Sequence, residues 1–528
     1  MNGMPISSML RRRPLVLLVG ALLSFGGTRA LASPVPVAQF NWTQQQKLFL
    51  ENPMVGDLAA QAIGLSGDVI IVGAEEADLK GSRSGVAQVF VRAGGSFAPT
   101  QTLSPDDGQP DDYFGHAVDV DGDIAIISAS SDDDNGLNKG SAYVYARSGG
   151  VYTMQQKLLP PPATLGSYAA TVAISGTTIL LGGEGSGGFV YTQSGSTWSL
   201  QQKIAPADHV TTHFGNAVDV SGDTAILAAF ADPTMSVDGG SAYLYVRSGA
   251  TWTEQQKVFP SDPTVGQNFG YSVAIDGDTA VVGAIGDSEK GTWAGAAYVF
   301  VRNGVTWSQQ QKLVASDAQE RAQFGWGVAV QGDRVLIGTP TMKTAVTQPG
   351  SAYVFERSGG VWTEANKLTA SDAVAVENRF GWSCRLDGDT AVVGAPSDAE
   401  KGGSSGAAYV FAMEMGGSGG MGGSGGMGGA GGAGGAGGMG GAGGMGGAGG
   451  MGGAGGMGGA GGAGGAGGMG GAGGAPSTEE SGCGCRMAGA ERGGGAAWLL
   501  VLGGVILAGS QRRARSRSLV RRGDGSTF

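Results

Sequence analysis

Five residues that directly follow a Phe-Gly pair or its equivalent bring together an imidazole, an amide and three aromatic rings: His116, Asn216, Tyr271, Trp326 and Trp382. Gathered in one ring, such groups could stack on a sugar or grip a peptide side chain, although aromatics in that setting also serve as packing. The densest run of acids is Asp132-Asp133-Asp134-Asn135. It has oxygens for Ca2+ but not the spacing of a calcium loop, and calcium takes six to eight of them, so no cofactor is expected. Catalysis has little to build on. The only histidines are His116, His209 and His213, and no Gly-x-Ser-x-Gly, His-Glu-x-x-His or Cys/His pair occurs. His209 and His213 stand four apart but in a loop between strands, which does not establish zinc spacing.

These residues are placed by a repeated unit. An aromatic opens each copy at Trp42, Phe97, Tyr152, Trp198, Trp252, Trp307 and Trp362, in steps of 55, 55, 46, 54, 55 and 55 residues. Phe-Gly recurs at Phe114, Phe214, Phe269, Phe324 and Phe380, with Ala59 and Tyr168 in that slot in copies one and three. Nine residues later come Asp68, Asp123, Asp223, Asp278, Asp333 and Asp389, each after a Gly, while copy three has Gly176-Thr177. Each copy parses as four short strands. The segment after Phe-Gly ends in an Asp-Gly-Asp or Ser-Gly-Asp turn, where Gly supplies the positive φ of a tight hairpin. An apolar run such as 279–284 reads as a strand buried on both faces. A polar loop of about ten residues, a Tyr-Val-Phe strand, an Arg-Ser-Gly turn and a Gln-Gln-Lys strand complete the unit. Four-stranded units at this period predict an all-β fold, a seven-bladed β-propeller.

The order of the pieces predicts how the ring closes. An outer strand, 42–49, precedes any Phe-Gly strand, and an inner-type strand, 406–411, ends the array, so the first piece must complete the last blade and remove the open sheet edge. The tight turns fall on one face and the long loops on the other. The loop face carries Asp106, Asp107, Asp111, Asp112, Asp132 to Asp134, Asp287, Asp317, Asp372 and Asp398, and a like-charged face of this kind is expected to be solvated surface. The Asp residues of the Gly-Asp turns are expected to be turn formers. Cys384, in a slot held by valines in other copies, reads as a small buried hydrophobe.

The blocks Phe380-Gly381, Gly394-Ala395-Pro396 and Tyr409-Val410-Phe411 resemble FG-GAP repeats, the units of the integrin α-subunit propeller. The resemblance covers 42–412. Most copies lack the Pro of the second block, and none has the calcium loop that some integrin blades carry. The resemblance implies an extracellular binding or adhesion propeller.

The chain ends read as address signals. Arg11-Arg12-Arg13, an apolar run from Leu15 to Leu23 and Ala30-Leu31-Ala32 predict a secretory signal peptide, 1–32, cleaved after Ala32. Residues 416–475 are nearly all Gly, Ala and Met and predict a disordered Gly-rich spacer, whose root-mean-square reach is roughly 40 to 45 Å. Within 482–522, Cys483 and Cys485 precede an apolar run from Ala496 to Ala508 and six arginines. As a C-terminal hydrophobic helix that run spans about 20 Å, short of a roughly 30 Å bilayer core. It is either a thin membrane anchor with cytoplasmic arginines or a sorting tag removed on processing. Cys, helix and basic end in this order resemble the C-terminal sorting tags of myxobacterial surface proteins, which is the reading preferred here, with Cys483 or Cys485 in the region linked to the envelope. Arg522-Gly523-Asp524, although it spells an adhesion tripeptide, lies beyond the apolar run and carries no weight.

With the basic ends set aside, residues 33–475 hold 21 basic and 40 acidic residues, a net charge of −19. Phosphate neutralisation needs the opposite balance, so nucleic acid is excluded as a partner. The sequence thus predicts an exported, monomeric propeller held at the membrane or envelope by its C-terminal segment, binding an extracellular protein or glycan. The alternatives are a structural envelope component without a specific ligand and, further off, a hydrolase using loop-face acids.

Overall fold

The computed structural model describes residues 40–415, except 163, 165–167, 184, 186, 210–212, 341–348 and 373–377. The expected signal peptide with Ala32, the spacer and the C-terminal segment with Cys483 and Cys485 lie outside the described residues.

The described residues form seven four-stranded antiparallel sheets, the blades of a propeller. Blades one to six span 63–103, 114–158, 171–204, 214–258, 269–313 and 328–368. The seventh combines 384–415 with the N-terminal strand Phe40–Leu48. Blade five shows the pattern. Phe269–Asp276 lies innermost, Thr279–Ala284 and Ala296–Asn303 follow, and Thr306–Leu313 is the outer strand. The second strand, Thr-Ala-Val-Val-Gly-Ala, is buried throughout. On the outer strand only Trp307 and Leu313 are buried, and the polar positions between them are half-buried or exposed.

The core lies between blades rather than within them. Each of the seven apolar clusters joins two neighbouring sheets, as where Ile226 and Leu244 of blade four meet Val282 and Tyr298 of blade five. Phe269 packs edge-on against Tyr298 with ring centres 5.5 Å apart, and the same contact recurs between Phe114 and Tyr143, Phe214 and Tyr243, and Phe380 and Tyr409. Tyr168 makes the equivalent contact with Phe189 in blade three, so the eroded copy keeps its ring in the slot. Close approach of blades dictates the glycine before the third strand. At Gly295, where φ is +83°, a Cβ would lie 2.2 Å from the Phe324 carbonyl oxygen, so no side chain fits.

The ring closes as the order of pieces requires. Phe40–Leu48 pairs antiparallel with Ala407–Met415, with Phe40 opposite Met415 and Leu48 opposite Ala408. Both strands extend beyond the expected limits of 42 and 411. The chain therefore enters and leaves the propeller side by side on the tight-turn face, and the long loops occupy the opposite face.

One expectation about the inner strands is corrected. In blades six and seven the strand starts only at Val328 and Cys384, not directly after Phe-Gly. There the backbone N–H groups of Gly325 and Trp326 both donate to the Gly338 carbonyl, and those of Gly381 and Trp382 both donate to that of Gly394. This turns the chain before the ladder begins.

Candidate functional site

Four half-buried or buried rings form an arc at the loop-face mouth of the central channel. Ring centres are 5.9 Å apart for Phe230 and Tyr271, 4.7 Å for Tyr271 and Trp326, and 4.5 Å for Trp326 and Trp382. These separations are within the range of favourable aromatic contact. His213 extends the arc onto Phe230 at 4.4 Å, and the Arg379 guanidinium lies 5.3 Å from the Trp382 ring centre. The structure thus brings Tyr271, Trp326 and Trp382 together, but it gives them different duties. Trp326 is only 6 % exposed and serves as the packed centre of the arc. Tyr271 and Trp382 are half-buried and keep part of each ring accessible.

The other two mouth candidates are engaged in holding blades. The Asn216 side-chain amide donates to the carbonyls of Gly270 and Tyr271 at 3.2 and 3.3 Å, tying blade four to blade five. His116 pairs through Nδ1 with the Glu75 carboxylate of blade one. Burial works against the charged imidazole, but the field and hydrogen bond of Glu75 outweigh it and raise the His116 pKa above its ordinary value. Phe230, Glu75 and Arg379 were not predicted from sequence. The first two occupy the position after Gly-Ala or Ala-Ala that Pro396 fills in blade seven, and variation at this one slot was the available signal.

The acidic loop candidates need correction. Asp132 is not solvated surface but 3 % exposed. Its carboxylate accepts from Ser141 and Tyr143 at 2.8 Å each and from the Asp134 N–H at 2.9 Å, and it pairs with Lys157 at 2.8 Å. Lys157 also binds Asp107 and Asp134. Asp133 caps the loop by accepting the Asn138 N–H. The three carboxylates therefore surround an ammonium group, and the place a cation would take holds the lysine of the Gln-Gln-Lys strand. Burial opposes the Asp132 charge, but Lys157 and the surrounding donors hold its carboxyl below the usual range. The arrangement recurs as Asp232 with Lys257, Asp287 with Lys312 and Asp398 with Lys47. Among the described residues, no group of three or more His, Cys, Asp or Glu side chains is arranged to hold a metal ion.

The tight-turn face is stapled all round. The residue before each turn glycine accepts the N–H of the next blade's turn glycine. Ser66 receives Gly122, Asp121 receives Gly176, Ser175 receives Gly222, and Ser221 receives Gly277. Asp276 receives Gly332, Gln331 receives Gly388, and Asp387 receives Gly67, closing the ring. In blades one, two, four, five and six the Asp after the glycine pairs with the arginine of its own blade, as Asp278 does with Arg302 at 2.5 Å, whereas Asp389 of blade seven meets Arg334 of blade six at 3.5 Å. These acids thus have structural roles beyond forming the turn. Cys384 is buried in its strand, and burial pushes its thiol up to about 12, as expected for an inert packing residue.

No curated protein matches the chain. A family model described as FG-GAP repeat matches residues 42–90, 97–145, 198–245, 252–300, 307–355 and 362–411, together more than half of the chain. Each match starts at an outer strand and runs through the first three strands of the following blade. The copy that begins at Tyr152, in which Tyr168 replaces the Phe, is the one not matched. With seven blades in place and six copies matched, the chain belongs to the FG-GAP repeat family.

Proposed function

We propose that this chain is an exported cell-surface binding or adhesion protein that presents the long-loop face of its propeller to an extracellular protein or glycan. The observation that carries this reading is where the first and last strands of the propeller meet. Phe40 and Met415 lie opposite each other on the tight-turn face, at the other end of the blades from the long loops. On that face the accessible edges of Tyr271 and Trp382, with Arg379 beside them, form a surface for stacking or for gripping a side chain. Repeats of this family are typical of extracellular and surface proteins, which also supports the reading. The proposed role is binding rather than catalysis, by a monomeric propeller attached through its C-terminal segment.

The test is binding of the purified full chain to a glycan array and to whole cells, compared with a Tyr271→Ala/Trp382→Ala double variant. Loss of binding in a folded double variant is expected. Binding that is unchanged in the variant would overturn this use of the mouth. A second reading, a structural envelope component without a specific ligand, is favoured by the engagement of Trp326, Asn216 and His116 in packing and blade contacts. It predicts no binding by the wild-type chain in either assay.

A further inference from the structure

At one level of the central channel all seven blades contribute a residue from the same repeat slot: Gly64, Asp119, Ala173, Asp219, Ala274, Ala329 and Arg385. Four of the seven are Gly or Ala. Two of these, Ala274 and Ala329, line with the three charged residues a cavity of about 210 Å³, whose other lining side chains include Leu65, Ile174 and Val218. A space of that size holds several waters or one small polar molecule, a water occupying about 30 Å³ in the liquid. The cavity sits one or two residues from the tight turns, and the contacting rings of Tyr271, Trp326 and Trp382 lie toward the other end of the channel.

The three charged residues in this well are fixed in place yet do not pair with one another. Asp119 accepts the Ile174 N–H of the next blade at 2.8 Å. Asp219 accepts the N–H groups of Val220 at 2.8 Å and Ile275 at 2.7 Å. Arg385 reaches from blade seven past Gly64 and donates to the carbonyls of Cys384 at 3.1 Å and Val118 at 3.5 Å. No ion pair within 4.0 Å joins Arg385 to either carboxylate among the described residues. All three are half-buried, and opposite charges that give up solvation normally close on each other, because each otherwise lacks compensation. Charges held apart by their own backbone contacts leave a gap for a molecule that carries both complementary charges.

We propose that this well binds a small zwitterion of the amino-acid class, its ammonium group against Asp219 and Asp119 and its carboxylate against Arg385. The state of Asp219 agrees with a carboxylate short of positive charge: burial, then the charge of Asp119, push it up to about 7 despite two backbone N–H groups and the more distant charge of Arg385. An ammonium group placed beside it would restore its ionised form, so ligand uptake should release a proton near neutral pH.

The test is isothermal titration calorimetry of the full chain with glycine and alanine, using methylamine and acetate as single-charge controls, in two buffers of different ionisation enthalpy. Glycine or alanine is expected to bind at least tenfold more tightly than either control, with proton release. Asp219→Asn and Arg385→Gln should each weaken binding at least tenfold. Ala274→Leu, which fills the cavity and leaves the charges intact, should abolish it while the fold is retained by circular dichroism. Absence of heat with either amino acid, methylamine binding as tightly as glycine, or full binding by Ala274→Leu would each overturn the proposal. The mouth variant Tyr271→Ala/Trp382→Ala should bind glycine normally, which separates this site from the loop-face surface.

Discussion

The indole Nε1 of Trp362 donates to Oε1 of Gln310 at 2.7 Å, across the seam between blades five and six. Gln311 completes the staple there, its amide taking the Trp362 N–H at 2.9 Å and donating to the Trp362 carbonyl at 2.8 Å. The first of these bonds recurs at Trp198, Trp252 and Trp307, and the second pair at all six seams from blade seven onward to blade six, beginning with Gln46 and Phe97. The seam between blades six and seven breaks the rule. Ala365 and Asn366 stand where the two glutamines should be, and both Trp42 Nε1 and Asn366 Oδ1 are buried without a partner.

Restoring the glutamines should therefore strengthen the closure. An unsatisfied buried polar group costs about 1 to 3 kcal/mol. The double variant Ala365→Gln/Asn366→Gln should raise the melting temperature and the denaturant midpoint, and Gln310→Ala/Gln311→Asn should lower both. Hydrogen exchange should show the strand 40–48 opening less often in the first variant. An unchanged exchange rate there would argue that this seam does not limit opening.

The lysine at each acid cluster should be indispensable to its blade. Removing Lys257 leaves Asp232 buried and unpaired beside Asp208. Breaking one partner of such a buried pair costs about 3 to 5 kcal/mol, so Lys257→Met should be strongly destabilised in urea unfolding. Arg302→Ala removes an exposed pair with Asp278 at the turn face and should cost far less.

Stability should peak in mildly acidic solution. Burial raises Asp112 to about 6, and burial with the Asp119 charge raises Asp219 to about 7. An acid raised in the folded state contributes stability that is complete below its unfolded pKa, about 4, and lost as pH rises through the folded value. His116, raised above its ordinary value by Glu75, loses its contribution in the same direction. Asp132, Asp232 and Asp372 are held low by their lysines, so their contribution is present above about pH 4 and lost on further acidification. Thermal melts should thus show a maximum between about pH 4 and 6, and Asp219→Asn should flatten the alkaline limb. A melting temperature that climbs steadily from pH 5 to 8 would contradict this balance.

Glycines of the repeat should divide into two classes. Gly295→Ala places a Cβ against the Phe324 carbonyl in addition to its positive φ, whereas Gly304→Ala in the exposed Arg-Asn-Gly turn, at φ +63°, meets nothing within 4 Å. The second substitution should cost about 1 kcal/mol and the first several times that, as read by chemical denaturation.

Spacing alone was enough to specify the scaffold. Seven opening aromatics, the Phe-Gly pairs and the Gly-Asp turns fix four short strands per unit, and a chain that begins with an outer strand can satisfy that edge only by returning to the last blade. These are local or periodic constraints, so they can be read along the chain, as can the burial of Cys384 in a valine slot. What the rings and charges do was decided by contacts across blades, which no single repeat contains. Trp326 and Trp382 look alike in sequence, yet one is packed between two rings and the other keeps an open edge. Asp132 reads as a surface acid until Lys157, 25 residues away, and Tyr143 meet at its carboxylate. The well around Asp119, Asp219 and Arg385 exists only because the ring brings one slot from seven copies to a common axis, where small residues such as Ala274 and Ala329 leave space.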